Sequence, residues 1–391
     1  MAPAIRHHVA SSVTVWDAVV VGAGPAGAVA ARGLARDGAS VLLVDRCDFP
    51  RWKVCGACLG PTALYVLDSI GLRSVVTDAG AVKLTRLVLV GAGRRAVIPL
   101  PDSLALSRAV LDRSLVEAAV GSGVSFRSGA RASVEREGNR FVEVLVRQAG
   151  VAVTERTRVV IDATGLGSRL GAALPGRRTE RAVGFSDVAP RSRVGLGAMF
   201  ADVDPAVVPG EVRMVIARSG YVGMVRLEDG VLNVAAAIDR DALRGGPSAA
   251  VESVLREGGA PPLVGSNLTG WNGTPPLTRR PADRARRRLF RLGDAAGYVE
   301  PFTGEGIGWA LIAGAAVVPV ARTAIRGWRD DLVEEWGRVH SRRVERRQWT
   351  CRALAVALRR PRVVRPALAV LGRAPQLAIP LVRATSAKAE G

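Results

Sequence analysis

The sequence predicts an α/β fold: a discontinuous Rossmann-like domain that binds a dinucleotide, an inserted mixed β-sheet, and a helical C-terminus. Three observations carry this. Val21-Gly22-Ala23-Gly24-Pro25-Ala26-Gly27 lies between an apolar strand and a small-residue helix. Ile161-Asp162-Ala163-Thr164-Gly165 ends a long strand in the middle of the chain. Arg291-Leu292-Gly293-Asp294-Ala295-Ala296-Gly297, with Pro301 and Gly304-Glu305-Gly306 after it, leads into another small-residue helix. One glycine motif is a weak signal. Three in this order, with an acid closing the second strand, are a strong one.

Residues 14–45 read as strand, helix, strand: apolar Thr14–Val21, small-residue Gly27–Asp37 ended by Gly38, then Val41–Val44 closed by Asp45. Pro61 opens a helix to about Ile70, since proline suits the first helical position. Residues 82–99 alternate around Gly91-Ala92-Gly93. Arg94, Arg95 and a second strand follow that turn, so it is a hairpin and not another dinucleotide motif. Ser107–Gly121 is an amphipathic helix with Val110, Leu111, Leu115, Val116 and Ala119 on one face.

Strands are expected near 124–127, 130–137, 141–147 and 151–161. Others are expected at Ala182–Ser186, Val194–Ala201, Val212–Ala217, Tyr221–Leu227 and Val231–Ile238. Asp229-Gly230 marks the turn between the last two. Ser248–Gly258 is a helix, Arg288–Leu292 a strand, Gly306–Arg326 a helix, and the remainder helical and basic. The expected division is 12–81, 105–178 and 278–326 for the dinucleotide-binding domain, with 82–104 and 179–277 forming the substrate domain. Residues 327–391 form basic C-terminal helices.

Composition bounds the chemistry. The net charge is +20 over 391 residues, and the only lysines are Lys53, Lys83 and Lys388. Arginine carries the excess, which fits either an anionic partner or a GC-rich coding bias. With 4% aromatic residues and no recognition motif, nucleic acid is not the expected partner. The histidines are His7, His8 and His340, two in the leading segment and one in a late helix. That argues against a histidine triad or metal centre. The cysteines Cys47, Cys55, Cys58 and Cys351 do not make a secretory disulfide framework. The Cys55–Cys58 pair has redox spacing but no second pair to complete a zinc site. Residues 1–13 lack the apolar core of a signal peptide. No run of about 20 uninterrupted apolar residues predicts a membrane-spanning helix. The expected setting is the cytoplasm, with peripheral contact to the inner membrane face as an extension.

The glycine motif has a mechanical reading. Gly22 allows the tight turn, Gly24 lets backbone approach a pyrophosphate, and Gly27 lets helix and strand pack. The helix N-terminus, through Pro25 and Ala26, then faces the phosphates with its partial positive charge. Asp45 is placed for a ribose diol, with Arg46 beside it.

Together these motifs resemble the flavoprotein superfamily of p-hydroxybenzoate hydroxylase, geranylgeranyl reductases and flavin-dependent halogenases. The resemblance covers about residues 14–325 and implies a glutathione-reductase-type FAD-binding domain with a p-hydroxybenzoate hydroxylase-like inserted sheet. It implies FAD contacts from Arg108, Asp162, Thr164, Gly165, Gly293 and Asp294. It sets Pro301, Gly304, Glu305, Gly306 and Ile307 beside the isoalloxazine ring, where a helix N-terminus would face charge developing on reduction.

Phe49-Pro50-Arg51-Trp52-Lys53-Val54-Cys55-Gly56 resembles the P-R-x-K-x-C-G loop of the geranylgeranyl reductases, which lies against the flavin. That implies Arg51 and Lys53 for a phosphate or an anionic substrate group. It implies Cys55 and Gly56 at the ring. Glu305 follows the G-E-G pattern of the reductase branch. Tyr221-Val222-Gly223-Met224-Val225-Arg226 stands where halogenases carry W-x-W-x-I-P and keeps no tryptophan. Catalytic candidates are therefore Cys55, Tyr221 and Glu305.

The resemblance implies an FAD-dependent oxidoreductase acting on a hydrophobic small molecule of lipid, isoprenoid or secondary metabolism. C=C reduction or dehydrogenation is the leading reading. O2-dependent hydroxylation, halogenation, and a non-enzymatic structural or sensory flavoprotein are the others. No second nucleotide-binding unit is present, so NAD(P)H would bind transiently or a partner reductase would supply electrons. Apolar runs among the arginines of 341–383 read as a cap that packs on the substrate domain or lies on an anionic membrane. Pro361, Pro366, Pro375 and Pro380 are expected to break or bound its helices.

Overall fold

The computed structural model describes residues 15–168, 170, 187–202, 207–280, 283–300 and 302–378. The expected strand Ala182–Ser186 and the site residue Pro301 lie outside the described residues.

The chain enters as β1 (Val15–Val21), turns into α1 (Pro25–Arg36) and returns as β2 (Val41–Val44). Proline at the first turn of α1 suits the helix start, and the buried Ala26, Ala28, Ala30 and Ala31 let it lie close to its neighbours. After α2 (Pro61–Ser69) comes a hairpin, β3 (Arg86–Gly91) and β4 (Arg94–Pro99). Its turn uses Ala92 and Gly93, both at positive φ (50° and 68°). This is a two-residue hairpin turn.

Next come α3 (Arg108–Val120), β5 (Ser125–Arg127), β6 (Ala130–Glu137), β7 (Val142–Gln148) and β8 (Val151–Asp162). Ser107 caps α3, its hydroxyl accepting from the Val110 amide at 3.1 Å. Four of the five residues expected inside are buried; Val110 is only half-buried, and Arg108 and Asp112 join the interior. They can because they pair with each other one helical turn apart.

The strand-rich region gives β9 (Val194–Ala201), β10 (Glu211–Ile216), β11 (Gly220–Arg226) and β12 (Leu232–Ile238), followed by α4 (Pro247–Gly258). The chain returns through β13 (Leu289–Arg291) to α5 (Gly306–Arg326). It ends in α6 (Asp331–His340), α7 (Arg346–Ala357) and α8 (Pro361–Arg373). Pro361 starts α8 as expected, whereas Pro366 sits inside it on the exposed side without ending it.

Two sheets result. In the first, β13, β8, β1, β2 and β5 run parallel in that order, and the β6–β7 hairpin extends antiparallel from β8. The doubly buried strands β1 and β2 are continuous Val/Leu/Ala runs, as parallel strands covered on both faces require. The second sheet runs β9, β12, β11, β10, β3, β4. The β3–β4 hairpin joins it through a parallel β3–β10 ladder, across more than a hundred residues of sequence. One face packs under α4 through Val251, Val254 and Leu255. The other carries Leu89, Ile98, Met214, Ile216 and Tyr221, and meets Val364 and Leu368 of α8.

Helix α5 is long and apolar enough to cross a membrane by length and composition alone. Here it is a core helix. Leu311, Ala313, Val317 and Ala321 are fully buried, and a Cβ on Gly314 would stand 2.4 Å from the Ala26 carbonyl oxygen of α1.

Candidate active site

All three glycine motifs converge at the C-terminal ends of β1, β8 and β13, where ligands bind in open α/β sheets. Gly22 has φ +103°, and a Cβ there would lie 2.2 Å from the Ala163 carbonyl oxygen. A Cβ on Gly27 would lie 1.9 Å from the Gly22 carbonyl oxygen. These two glycines are packing requirements. Gly24 is the open position: its nearest neighbours would be the guanidinium nitrogens of Arg108 and Arg51, at 3.6 and 3.8 Å. The start of α1 thus faces a cradle floored by arginine.

Carboxylates hold that cradle. Asp112, fully buried, receives two hydrogen bonds from Arg108 (2.9 and 2.7 Å) and an ion pair from Arg51 (3.0 Å). Arg51 also reaches Asp45 at 3.5 Å, and its buried Nε has no hydrogen-bond partner. Asp45 accepts from the Ala23 amide at 2.8 Å and the Cys47 amide at 2.9 Å, bracing the glycine loop. Asp162 lies behind the wall. One oxygen accepts from the Thr164 amide (3.2 Å) and hydroxyl (2.6 Å), the other from Ser168 (2.6 Å) and Arg291 (3.3 Å). It locks the second motif to the third strand and leaves Thr164 and Gly165 on the surface of the site.

These elements surround a cavity of about 900 Å³. At one end its wall is Gly24, Pro25, Ala26, Arg46, Lys53, Arg108, Thr164, Gly165, Gly293 and Asp294. Burial, then the charge of Arg108, pulls the Lys53 ammonium below its ordinary range. An added anion there would relieve that strain. Cys55, Gly56, Gly304, Glu305, Gly306 and Ile307 form the middle. The far end is aliphatic, built by the second sheet and the inner side of α7 and α8. Gly22, Gly27, Asp45, Arg51 and Asp162 stand just outside the wall and shape it.

Each catalytic candidate touches the cavity. The Cys55 thiol accepts from the Ala57 amide at 3.4 Å, and its carbonyl accepts from Asn233 Nδ2 at 2.9 Å. That second bond ties the loop to β12. The Cys58 thiol points instead to the Gly56 carbonyl at 3.2 Å, and burial pushes it up to about 12. All four thiols are free. Glu305, at the start of α5, is almost fully buried; Thr62 hydrogen-bonds it, and Oε2 has no hydrogen-bond partner. Burial raises its pKa to about 7.

Tyr221 stacks edge-on to Phe302 at 5.0 Å, with Glu300 close enough for its charge to act on the phenol. Burial, then the charge of Glu300, lifts its phenol well above the usual range.

Behind Tyr221 is a network that sequence reading missed. Arg193 is fully buried, sits 5.6 Å from the Tyr221 ring, and pairs with Glu300 at 3.0 Å and Asp239 at 3.2 Å. Asp239 also holds Arg359, just after α7, at 2.8 Å. Tyr298 was missed too; it lines the cavity near Asp294. The available signal was an acid and two aromatics within a short loop, Tyr298 to Phe302, between two flavin-type motifs.

Residues 15–331 match the family model described as FAD binding domain. The chain belongs to this FAD binding domain family. It is 31% identical over 377 residues to a menaquinone reductase of Mycobacterium tuberculosis, covering 88% of this chain and 85% of the relative. It is 29% identical over 329 residues to digeranylgeranylglycerophospholipid reductase 1 of Methanococcoides burtonii, covering 82% and 77%. Among solved structures, a flavoprotein/dehydrogenase from Cytophaga hutchinsonii superposes with TM-score 0.80 at 17% identity, covering 95% and 93%. That likeness is one of fold. Family and relatives make this an FAD-dependent oxidoreductase, in agreement with the three-motif reading. The residues present fit the cofactor: an open glycine at a helix start, two arginines fixed beside it by Asp112, and a desolvated lysine suit an anion.

Proposed function

We propose that the enzyme reduces a C=C bond, or carries out the reverse dehydrogenation, on a hydrophobic molecule of isoprenoid or quinone type. The observation that carries this is the cavity's two-sided character. One continuous space runs from an arginine-floored cradle to an aliphatic chamber, with a thiol, a carboxyl and a phenol on its walls. The similarity to named quinone and isoprenoid-lipid reductases supports the substrate class.

In this reading the amides of Gly24 and Ala26, with Arg108, Arg46 and Lys53, would hold the pyrophosphate, and Pro25, which has no N–H, shapes the start of the helix. Asp45 and Arg51 brace that loop, and Asp162 positions Thr164 and Gly165. Gly293 and Asp294 face the ribityl chain. Gly56, together with Gly304, Gly306 and Ile307 at the start of α5, lines the cavity and would hold the flavin ring. Bound FAD supplies the two-electron chemistry. The aliphatic wall excludes water and orients the substrate. Tyr221 or Cys55 supplies the proton that balances the hydride. Glu305, titrating near neutrality, exchanges that proton with solvent. NAD(P)H, or a partner reductase, delivers the electrons.

The test is anaerobic reduction of the purified yellow protein by NADPH, followed by a short-chain menaquinone or a geranylgeranyl lipid in detergent. Reoxidation of flavin that tracks loss of one C=C bond supports the reading. Oxygen-dependent hydroxylation of the substrate would replace it with a monooxygenase.

A further inference from the structure

The outer side of the C-terminal cap combines two features that the site does not use. Residues 346–378 contain eight arginines and no aspartate or glutamate. Of these, Arg346, Arg360, Arg362, Arg365 and Arg373 are exposed. The same stretch exposes Trp349 (70%), Val356, Val363, Val370 and Leu377 (59%). Each lies seven residues from the next, about two helical turns. Trp349 and Val356 therefore share one face of α7, and Val363 and Val370 share one face of α8. Exposed apolar groups concentrated among cations need an explanation, because single scattered ones do not.

A third observation decides what covers them. Val363, Ala367 and Leu377 are exposed and also line the cavity. Val364 and Leu368, on the opposite side of α8, pack against the second sheet. The aliphatic chamber therefore opens to the outside between residues that are themselves apolar, within a rim of arginine. A water-soluble substrate needs no such mouth.

We propose that the α7–α8 face docks on an anionic phospholipid surface and that the mouth at Val363, Ala367 and Leu377 receives substrate directly from the bilayer. The arginines meet acidic headgroups while Trp349, Val356 and Val370 enter the headgroup–acyl boundary. The interfacial preference of tryptophan suits the most exposed of these residues. Entry from the bilayer rests on the hydrophobic-substrate reading above; the docking itself does not.

The test uses full-length FAD-loaded protein and vesicles of phosphatidylcholine, with or without phosphatidylglycerol. Co-sedimentation is expected only with phosphatidylglycerol, and it should weaken as salt rises. The double variant R362E/R365E should lose at least about twentyfold in partitioning, at about fivefold per arginine. V356E/V370E should lose binding as well. None of these four residues lines the cavity, so both variants should keep FAD and its reduction by NADPH. Brominated phosphatidylglycerol should quench tryptophan emission of the wild type, and W349F should remove that quenching.

Wild-type protein that carries FAD and reduces normally but ignores phosphatidylglycerol would overturn the docking and leave the redox reading intact. Binding that none of the variants alters would overturn it too, by moving the contact elsewhere or to a protein partner. Docking without turnover of any lipid would instead count against the substrate reading.

Discussion

The two ends of the cavity are built on different principles. The arginine-floored end, where we propose the cofactor binds, is made of backbone. Gly22 and Gly27 leave no room for a Cβ, and buried ion pairs at Asp112 and Asp162 fix the loops around them. The aliphatic end, where we propose the substrate binds, is made of side chains, with residues from the second sheet and α8 closing around Tyr221. A backbone site tolerates almost no substitution and leaves a spelled pattern in the sequence. An aliphatic wall tolerates many volume-conserving swaps and leaves almost none. Mutations should therefore act abruptly at the first end and gradually at the second.

The largest effect belongs to the packing glycines. Gly27→Ala puts a methyl 1.9 Å from the Gly22 carbonyl oxygen, and nothing flexible can yield. Loss of flavin absorbance and a destabilisation of about 4 kcal/mol or more are expected. Gly24→Ala meets only arginine side chains at 3.6 Å and beyond. It should fold and weaken FAD binding. Equal loss of fold in both variants would erase the distinction between packing glycine and cradle glycine.

Next is Asp112→Asn. It strands the buried Arg108 and leaves Arg51 with Asp45 alone at 3.5 Å; breaking a buried pair costs roughly 3–5 kcal/mol. Bound FAD would lessen that cost by bringing phosphate charge to Arg108. The melting temperature should therefore fall further in the apoprotein than in the holoprotein. The same drop in both would mean that Arg108 does not face the cofactor.

Glu305 comes third, and its sign can be worked out. Burial raises its pKa from 4.5 to about 7. A raised acid favours the folded state while protonated. Its contribution is complete below about 4.5 and is lost as pH rises through about 7. The whole shift is worth ~3 kcal/mol. Glu305→Gln should make the apoprotein more stable than wild type above pH 7, with the difference vanishing near pH 4. Parallel stability–pH curves would remove Glu305 as a titrating group in this range.

Legibility followed the same division. The parallel sheet, α1, α3, α5 and the order of the three motifs were readable because β-α-β units need glycine, small residues and strand periodicity at fixed spacing. Strands β9 to β12 were readable within a residue or so, although which face met the cavity was not. Alternation alone cannot choose a face when both are apolar: Tyr221 faces the cavity while Val222 lies under α4. Arg193 and Glu300 are 107 residues apart, and an ion pair of that span leaves no local pattern. Asp162 was read with the cofactor motif, and the structure finds it fully buried, holding Thr164, Ser168 and Arg291 from behind the cavity wall. A motif preserves the identity of a residue without saying which side of the wall it occupies. The inner face of the cap was legible only as apolar runs between prolines. Exposed Pro366, expected as a breaker, is carried inside α8.

The smallest effect on the fold is expected from Tyr221→Phe. The ring keeps its edge-on contact with Phe302. Glu300 keeps Arg193 at 3.0 Å. At most about 1 kcal/mol of stability should be lost, no more than the usual net worth of one hydrogen bond. Turnover should fall much more if Tyr221 donates the proton, by about 10²-fold or more. Its phenol sits well above its ordinary 10, so ionisation of Tyr221 itself should impose no alkaline fall in the wild-type rate up to that pH. A tyrosine that merely packs would predict unchanged turnover in the variant, and Cys55→Ser would then have to show the loss. If both variants turn over normally, the proton comes from water, and the substrate end contributes shape alone.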